Sequence, residues 1–476
     1  MSKILFVVSE CAPLIKTGGL ADVAGALPLA LAEHGDEVRV LLPGYRAVMG
    51  KLGKTKVVMK IANLFGEPAR VLSCNVSGLD LLILDTPHLY DRDGGIYGDV
   101  AGKDWPDNPE RFAALSKAAA LIAVRGLDGW VPEIVHGHDW QAGLTPEFLH
   151  NEKCDVSFVF TVHNIAFHGN VAGERLSALE LDYGRFHRDH FEFWGQISAL
   201  KAGLMGAAKI TTVSQTYAEE LLTPEFGIGM DGVLRHRKND LVGIVNGIDE
   251  DVWNPATDLL IKPYKTAAGK AANKRALQKT FGLKTSDGPL CVLVSRLTEQ
   301  KGIDLLLGAL DELLAQGGQL ALLGSGDPRL EVALNEAAAN HSNVSVKIGY
   351  DEVLSHQMMA GGDAILVPSR FEPCGLTQLY GLRYGTLPLV SLTGGLADTV
   401  INASPAAITK GVATGVQFHP TTTQALANAF TRLGALYRDK SVWKSLQKNA
   451  MAQPVGWQSS AAKYHAIYTA LTKDGQ

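Results

Sequence analysis

The chain has 476 residues, 46% of them hydrophobic and 20% charged, with a formal net charge of -5. That length and apolar content suit two or three domains with cores of their own and exclude a small stapled scaffold or a disordered chain. The mildly acidic balance offers nothing to nucleic acid or to an anionic membrane surface, so neither is expected as a partner.

Five cysteines, Cys11, Cys74, Cys154, Cys291 and Cys374, are scattered and never in CxxC spacing. They read as reduced thiols of a cytoplasmic protein. The opening apolar run KILFVV has no cleavage pattern after it, and the longest apolar stretch, AALSKAAALIAV, is broken by Lys117 and too short to cross a membrane.

Taken in chain order, short apolar runs alternate with helical patterns, as in parallel βαβ units. The strand candidates are ILFVVS, EVRVLLP, LDLLILD, EIVHGHD, SFVFTVHN and KITTVS in the first half, then LVGIVN, LCVLVSR, LALLGSG, VSVKIGY, AILVPSR and LPLVSL in the second. The predicted fold is α/β, with two doubly wound, Rossmann-like domains over residues 1–245 and 246–455, whose parallel sheets face a central cleft. A terminal helix over 456–476, with Tyr464, Ile467, Tyr468 and Leu471 at helical spacing, is expected to pack back on the first domain.

The motifs follow strands, where open α/β sheets bind ligands. In KTGGLADV, Gly18 and Gly19 open a helix and Lys16 adds a point charge, which suits an anion; the same residues also suit a plain turn with a solvated lysine. Asp91 and Asp93 could hold Mg²⁺, but HLYDRDGGIYG reads as a turn-rich loop. His136 and His138 share one strand face without a third soft ligand nearby, so no metal is expected. His163 ends a very apolar strand, as a site residue or as a satisfied structural histidine.

In SRLTEQKG, Arg296 and Lys301 reach one strand end as a fork and a point charge, either for a diphosphate or as loop cations in water. GSGDPRLE has Arg329 where a dinucleotide fingerprint needs its third glycine, which weakens an NAD-dependent reading. SRFEPCGLTQ carries Glu372 ahead of a helix expected from about Gly375, with the backbone N–H groups of Cys374, Gly375, Leu376 and Thr377 forming an anion site. Glu372 would hold sugar hydroxyls as a carboxylate, or simply cap the helix; Cys374 is a helix-start thiol or a small packed residue. The hexapeptide TGGLAD recurs from Thr393, with Leu392 where the first copy has Lys16, and both copies are expected to present glycine backbone to one cleft.

KTGGLADV, HGHDWQAG, FTVHNIAFHG, VNGID, SRLTEQKG, SRFEPCGLTQ and TGGLADT, in that order, closely resemble the bacterial glycogen synthase and plant starch synthase family. The resemblance implies a GT-B fold and a hexosyltransferase that moves glucose from ADP-glucose, with retention, to the non-reducing end of an α-1,4-glucan such as glycogen. It implies Lys16, His163, Arg296, Lys301 and Glu372 as catalytic residues. Donor contacts are implied for Gly18, Gly19, Asp139, Asn246, Tyr350 and the backbone of Cys374 to Thr377, with Asp22, Tyr97 and Trp140 toward the sugar or acceptor. No cofactor or metal is implied. One departure is that Tyr380 stands where many retaining GT-B enzymes carry a second glutamate. The rival readings are a nucleotide-sugar epimerase, an oxidoreductase on a similar scaffold, or a glucan-binding protein without catalysis.

Overall fold

The computed structural model describes residues 2–473. The residues up to Asn246, together with those from Trp457, form one compact unit, and Gly247–Gly456 form another.

The first unit is built on β1 (Lys3–Val7), β2 (Glu37–Pro43), β3 (Lys56–Leu64), β4 (Glu67–Val76), β5 (Leu79–Asp85), β6 (Ile134–His138) and β7 (Ser157–Val162). A small antiparallel sheet of β8 (Asn170–Ala172), β9 (Glu192–Phe193) and β10 (Gln196–Ser198) follows. β11 (Lys209–Thr212) and β12 (Leu241–Gly243) complete the main sheet, whose order is β12-β11-β7-β6-β1-β2-β5-β4-β3. From β12 to β5 every pairing is parallel. β1 and β6 are therefore neighbours from which the chain winds in opposite directions, the switch point where such sheets receive ligands.

Two features differ from the sequence reading. LVGIVN, assigned to the second half, supplies β12 to the first sheet, pairing with β11. β3 and β4 form a hairpin absent from the predicted strands; its residues alternate between buried and exposed instead of forming one apolar run, and its turn uses Phe65 and Gly66 at φ 53° and 104°.

The last helix, Gln458–Lys473, belongs to this unit. The Tyr468 hydroxyl is 2.7 Å from His136 Nδ1, His465 Nδ1 is 2.8 Å from Asp36 Oδ2, and Ser460 donates to the Val245 carbonyl. Residues 474–476 of the expected 456–476 helix lie outside the described residues.

The second unit carries β13 (Leu290–Val294), β14 (Gln319–Gly324), β15 (Val344–Ile348), β16 (Ala364–Val367), β17 (Leu387–Ser391) and β18 (Val416–Phe418), all parallel, in the order β15-β14-β13-β16-β17-β18. Counted within the unit this is the 3-2-1-4-5-6 order of a dinucleotide-binding fold, with its switch point between β13 and β16. β13 and β14 are almost wholly buried, as strands covered by helices on both faces should be. Among the described residues no helix is long and apolar enough to cross a membrane.

Candidate functional site

In the first unit, the loop after β1 closes on a carboxylate that carries no signal in sequence. Glu10 Oε2 accepts from the Thr17 backbone N–H, from Thr17 Oγ1 at 2.9 Å and from Gly18 N at 3.0 Å. Its Oε1 lies 3.4 Å from the Tyr97 hydroxyl, itself 2.8 Å from Ser9 Oγ. The turn is thus pinned before the Gly19–Ala32 helix begins, and a side chain added at Gly18 would meet only Glu10 Oε1, at 3.8 Å. The Thr17 and Gly18 N–H groups are given to Glu10, so an anion arriving at this helix start would be met by the backbone from Gly19 onward.

Lys16 Nζ sits 2.8 Å from Asp22 Oδ1, with the two side chains 40% and 26% exposed. Such a pair is worth only about 0–1 kcal/mol, so Lys16 can turn to an arriving anion at little cost.

Asp139, the first residue after β6, has φ 54° and ψ -177°. For a residue other than glycine this backbone costs about 1–3 kcal/mol and persists only where neighbours enforce it. Here the Asp139 carboxylate accepts from the backbone N–H groups of His163 at 2.7 Å and Asn164 at 3.3 Å, tying the end of β6 to the end of β7. Burial pushes its carboxyl up to about 7, against the pull of those two N–H groups. Burial also drives the His163 imidazole down to about 3, so the ring is neutral at physiological pH.

Of the remaining first-unit candidates, Tyr97 is engaged by Glu10 and Ser9. Trp140 packs edge-on to Phe112 at 5.0 Å and against Gly169, where a Cβ would stand 2.3 Å from the indole, so much of its ring is occupied by the unit itself. Asn246 is buried, and its Oδ1 has no hydrogen-bond partner among the described residues. The carboxylates of the DRD loop are taken by Arg46, at 2.6 Å from Asp91 and by a shorter contact with Asp93.

In the second unit the loops after β13 and β16 are laced together at the switch point. Arg370 forks onto Asp304 at 2.7 and 2.6 Å and donates to the Glu299 carbonyl, and its own N–H donates to the Gln300 carbonyl at 2.8 Å. Gly302 makes the approach possible: its φ is 68°, and a Cβ there would lie 2.0 Å from the Pro368 carbonyl oxygen. The result is that Lys301 Nζ meets Glu372 Oε2 at 2.6 Å, with both side chains largely buried. Ser369 Oγ donates to the same oxygen at 2.9 Å. Removing one partner of a pair this buried leaves the other uncompensated.

Arg296, at the end of the same strand, is exposed and forms no ion pair among the described residues. It is a cation two residues past β13, on the loop that leads to Lys301. The helix expected from about Gly375 begins at Thr377, because Gly375 takes φ 72° and cannot be its first turn. Cys374 is buried, while Gly375, Leu376 and Thr377 are half-buried ahead of the helix. Tyr350, just beyond β15, is 74% exposed, with its hydroxyl on Glu352. Tyr380 is stacked on Trp253 at 3.8 Å, and Trp253 on His356 at 3.9 Å, so it is spent on packing.

The second TGGLAD differs from the sequence expectation. A Cβ on Gly394 would lie 2.1 Å from the Glu372 carbonyl oxygen, and one on Gly395 2.2 Å from that of Cys374. The Gly395 N–H donates to the carbonyls of Glu372 and Pro373 at 3.0 and 3.1 Å. Its glycines admit the Glu372 loop, and its helix is only Gly394–Thr399.

Among the described residues no group of three or more His, Cys, Asp and Glu is arranged to hold a metal ion.

Comparison with known proteins bears on both units. The starch synthase catalytic domain family matches residues 3–236, and the glycosyl transferases group 1 family matches residues 275–450. The chain is 66% identical over 473 residues to a protein named glycogen synthase from Jannaschia sp., covering 99% of this chain and 100% of the relative. It is 60% identical over 472 residues to another of that name from Paracoccus denitrificans, with 99% and 100% coverage. Among solved structures, the catalytic domain of starch synthase IV from Arabidopsis thaliana, bound to ADP and acarbose, is similar with a TM-score of 0.88 at 31% identity, over 99% of each chain.

Proposed function

Since the chain belongs to the glycogen and starch synthase family of glycosyltransferases, with the GT-B fold, we propose that it transfers glucose from ADP-glucose, with retention, to the non-reducing end of an α-1,4-glucan. The observation that carries this reading is the Lys301–Glu372 pair at the second unit's switch point, with Arg296 unpaired at the same strand end. A departing nucleoside diphosphate needs positive charge more than it needs a general acid. Arg296 supplies a fork for the diphosphate, and Lys301 a point charge whose remaining protons are free while one is given to Glu372. Lys16 adds charge by leaving Asp22.

Glu372, held through Oε2, keeps Oε1 for sugar hydroxyls. A retaining glycosidase would set two carboxylates about 5–5.5 Å apart, one as nucleophile. The groups bonded to Glu372 are instead Lys301 and Ser369, so the reaction is read without a covalent intermediate. The glucan 4-hydroxyl attacks the anomeric carbon on the face from which ADP leaves: the new C–O bond forms as the C–O bond to phosphate breaks, and the hydroxyl proton passes to the departing phosphate oxygen. By the chain's resemblance to the family, His163 is assigned to the donor sugar, and Asp139 and Asn246 to further donor contacts. The backbone at Gly19 and at Cys374 to Thr377 is assigned to phosphate, the Gly18 N–H being held by Glu10, and the exposed Tyr350 is assigned to adenine.

With cations covering the leaving group, no metal is required in this scheme. The five free thiols suit a reducing cytoplasm. The test is incorporation of labelled glucose into glycogen from ADP-glucose and from UDP-glucose, with EDTA present. Incorporation from ADP-glucose supports the whole reading; loss on chelation removes metal independence, and no incorporation from either sugar overturns the activity.

A further inference from the structure

His138 touches no group given a role above except His163, and the contact is specific. β6 sets His136 and His138 on one face, their rings stacked at 4.3 Å. His136 is satisfied at both nitrogens, by Tyr468 at 2.7 Å and Thr161 at 2.6 Å. His138 is wholly buried; its Nδ1 lies 3.0 Å from His163 Nε2, and its Nε2 is buried with no partner among the described residues. His163 Nδ1 is not sealed from solvent and carries no hydrogen bond among the described residues, so it is the ring nitrogen left for a ligand.

A neutral imidazole has one N–H and one lone pair, and burial keeps all three of these rings neutral. A single proton therefore lies between His138 Nδ1 and His163 Nε2. Were it on His163, His138 would have to carry its own proton on Nε2, as a buried N–H with no acceptor. Orphaned buried N–H groups are the rarer and costlier kind. With the proton on His138 Nδ1, the orphan is only a lone pair, on a ring whose centroid lies 4.9 Å from that of Phe6.

We infer that His138 is a positioning residue that locks His163 in its Nδ1–H tautomer, so that His163 gives the donor sugar a hydrogen-bond donor and cannot serve as a base. The sugar as recipient rests on the function proposed above; the tautomer does not. Asp139 fixes the His163 backbone and His138 fixes its ring, both from the end of β6. A neutral imidazole set as a donor by its surroundings is a known catalytic device.

The test uses the full-length protein carrying ¹⁵N-histidine, with His163→Asn to assign the signals. Ring ¹⁵N shifts separate a protonated from a bare nitrogen. The expected result is a protonated Nδ1 and bare Nε2 on His163; the opposite pattern, or averaging between tautomers, overturns the inference. In kinetics, His138→Phe keeps a flat ring but not the donor, and kcat should fall on the order of 10-fold or more with KM nearly unmoved, as a wrong tautomer does. His138→Asn, whose amide reaches the Nδ1 position, should recover most of that loss, and equal loss in both variants counts against the inference. The shifts are read without substrate, so failure of glucan synthesis would remove the sugar as recipient and leave the tautomer standing or falling on its own.

Discussion

The two TGGLAD segments share six residues and do different work. At Gly18 the backbone is extended, with φ -149°, and the space a side chain would fill is empty apart from Glu10. At Gly394 and Gly395 that space is already taken by the backbone of Glu372 and Cys374. Gly18 leaves room for something outside the chain, and Gly394 and Gly395 make room for the chain itself. Repetition of a motif therefore marks a shared local shape, a turn opening a helix, and leaves its occupant undetermined.

The same substitution applied to both copies should separate them. Gly394→Ala puts a Cβ at φ 43° within 2.1 Å of a carbonyl oxygen, and should cost about 3–5 kcal/mol of second-unit stability in urea unfolding, with transfer lost as the Glu372 loop shifts. A Gly394→Ala protein as stable as wild type would show that the loop yields. Next in size is Lys301→Ala, expected to lower kcat by about 10²–10³ with less change in KM, since it removes charge from the leaving group and strands Glu372; wild-type turnover would take the pair out of the mechanism.

Burial of Asp139 in the first unit gives a pH signature. Because burial raises the Asp139 carboxyl to about 7, its protonated form favours the fold: that contribution is full below the unfolded value near 4 and is lost as pH rises through about 7. Asp139→Asn should therefore flatten the fall of stability over that window, by no more than about 1.4 kcal/mol per pH unit, the limit for one proton. Parallel melting curves for the two proteins would contradict the shift. Smallest of all, Gly18→Ala should change first-unit stability by less than about 0.5 kcal/mol, while donor KM rises if phosphate approaches there; unchanged KM would give that turn back to plain structure.

Strands buried on both faces were legible because they are continuous apolar runs, as in LCVLV and AILV. The β3–β4 hairpin was not, since its alternating Lys60, Ile61 and Arg70, Val71 pattern is that of a half-exposed pair. Arg296, Lys301 and Glu372 could be read as strand-end residues, but the groups that fix the loops could not: Glu10 and Ser369 act within their own loops and the Asp304–Arg370 fork joins two loops across a switch point, so all are ordinary polar residues whose roles appear only in the fold. Nor could sequence tell which glycines face a ligand, because that depends on what lies opposite.

The first unit is discontinuous in sequence: it is finished by Gln458–Lys473, after the whole of Gly247–Gly456 has been made. During synthesis the usual amino-terminal-first order is inverted. The second unit can close while the first still lacks the helix that supplies Tyr468 to His136, so a ribosome-stalled or prematurely ended chain would carry a complete nucleotide-type fold beside an unfinished one, with the histidine stack left open to water.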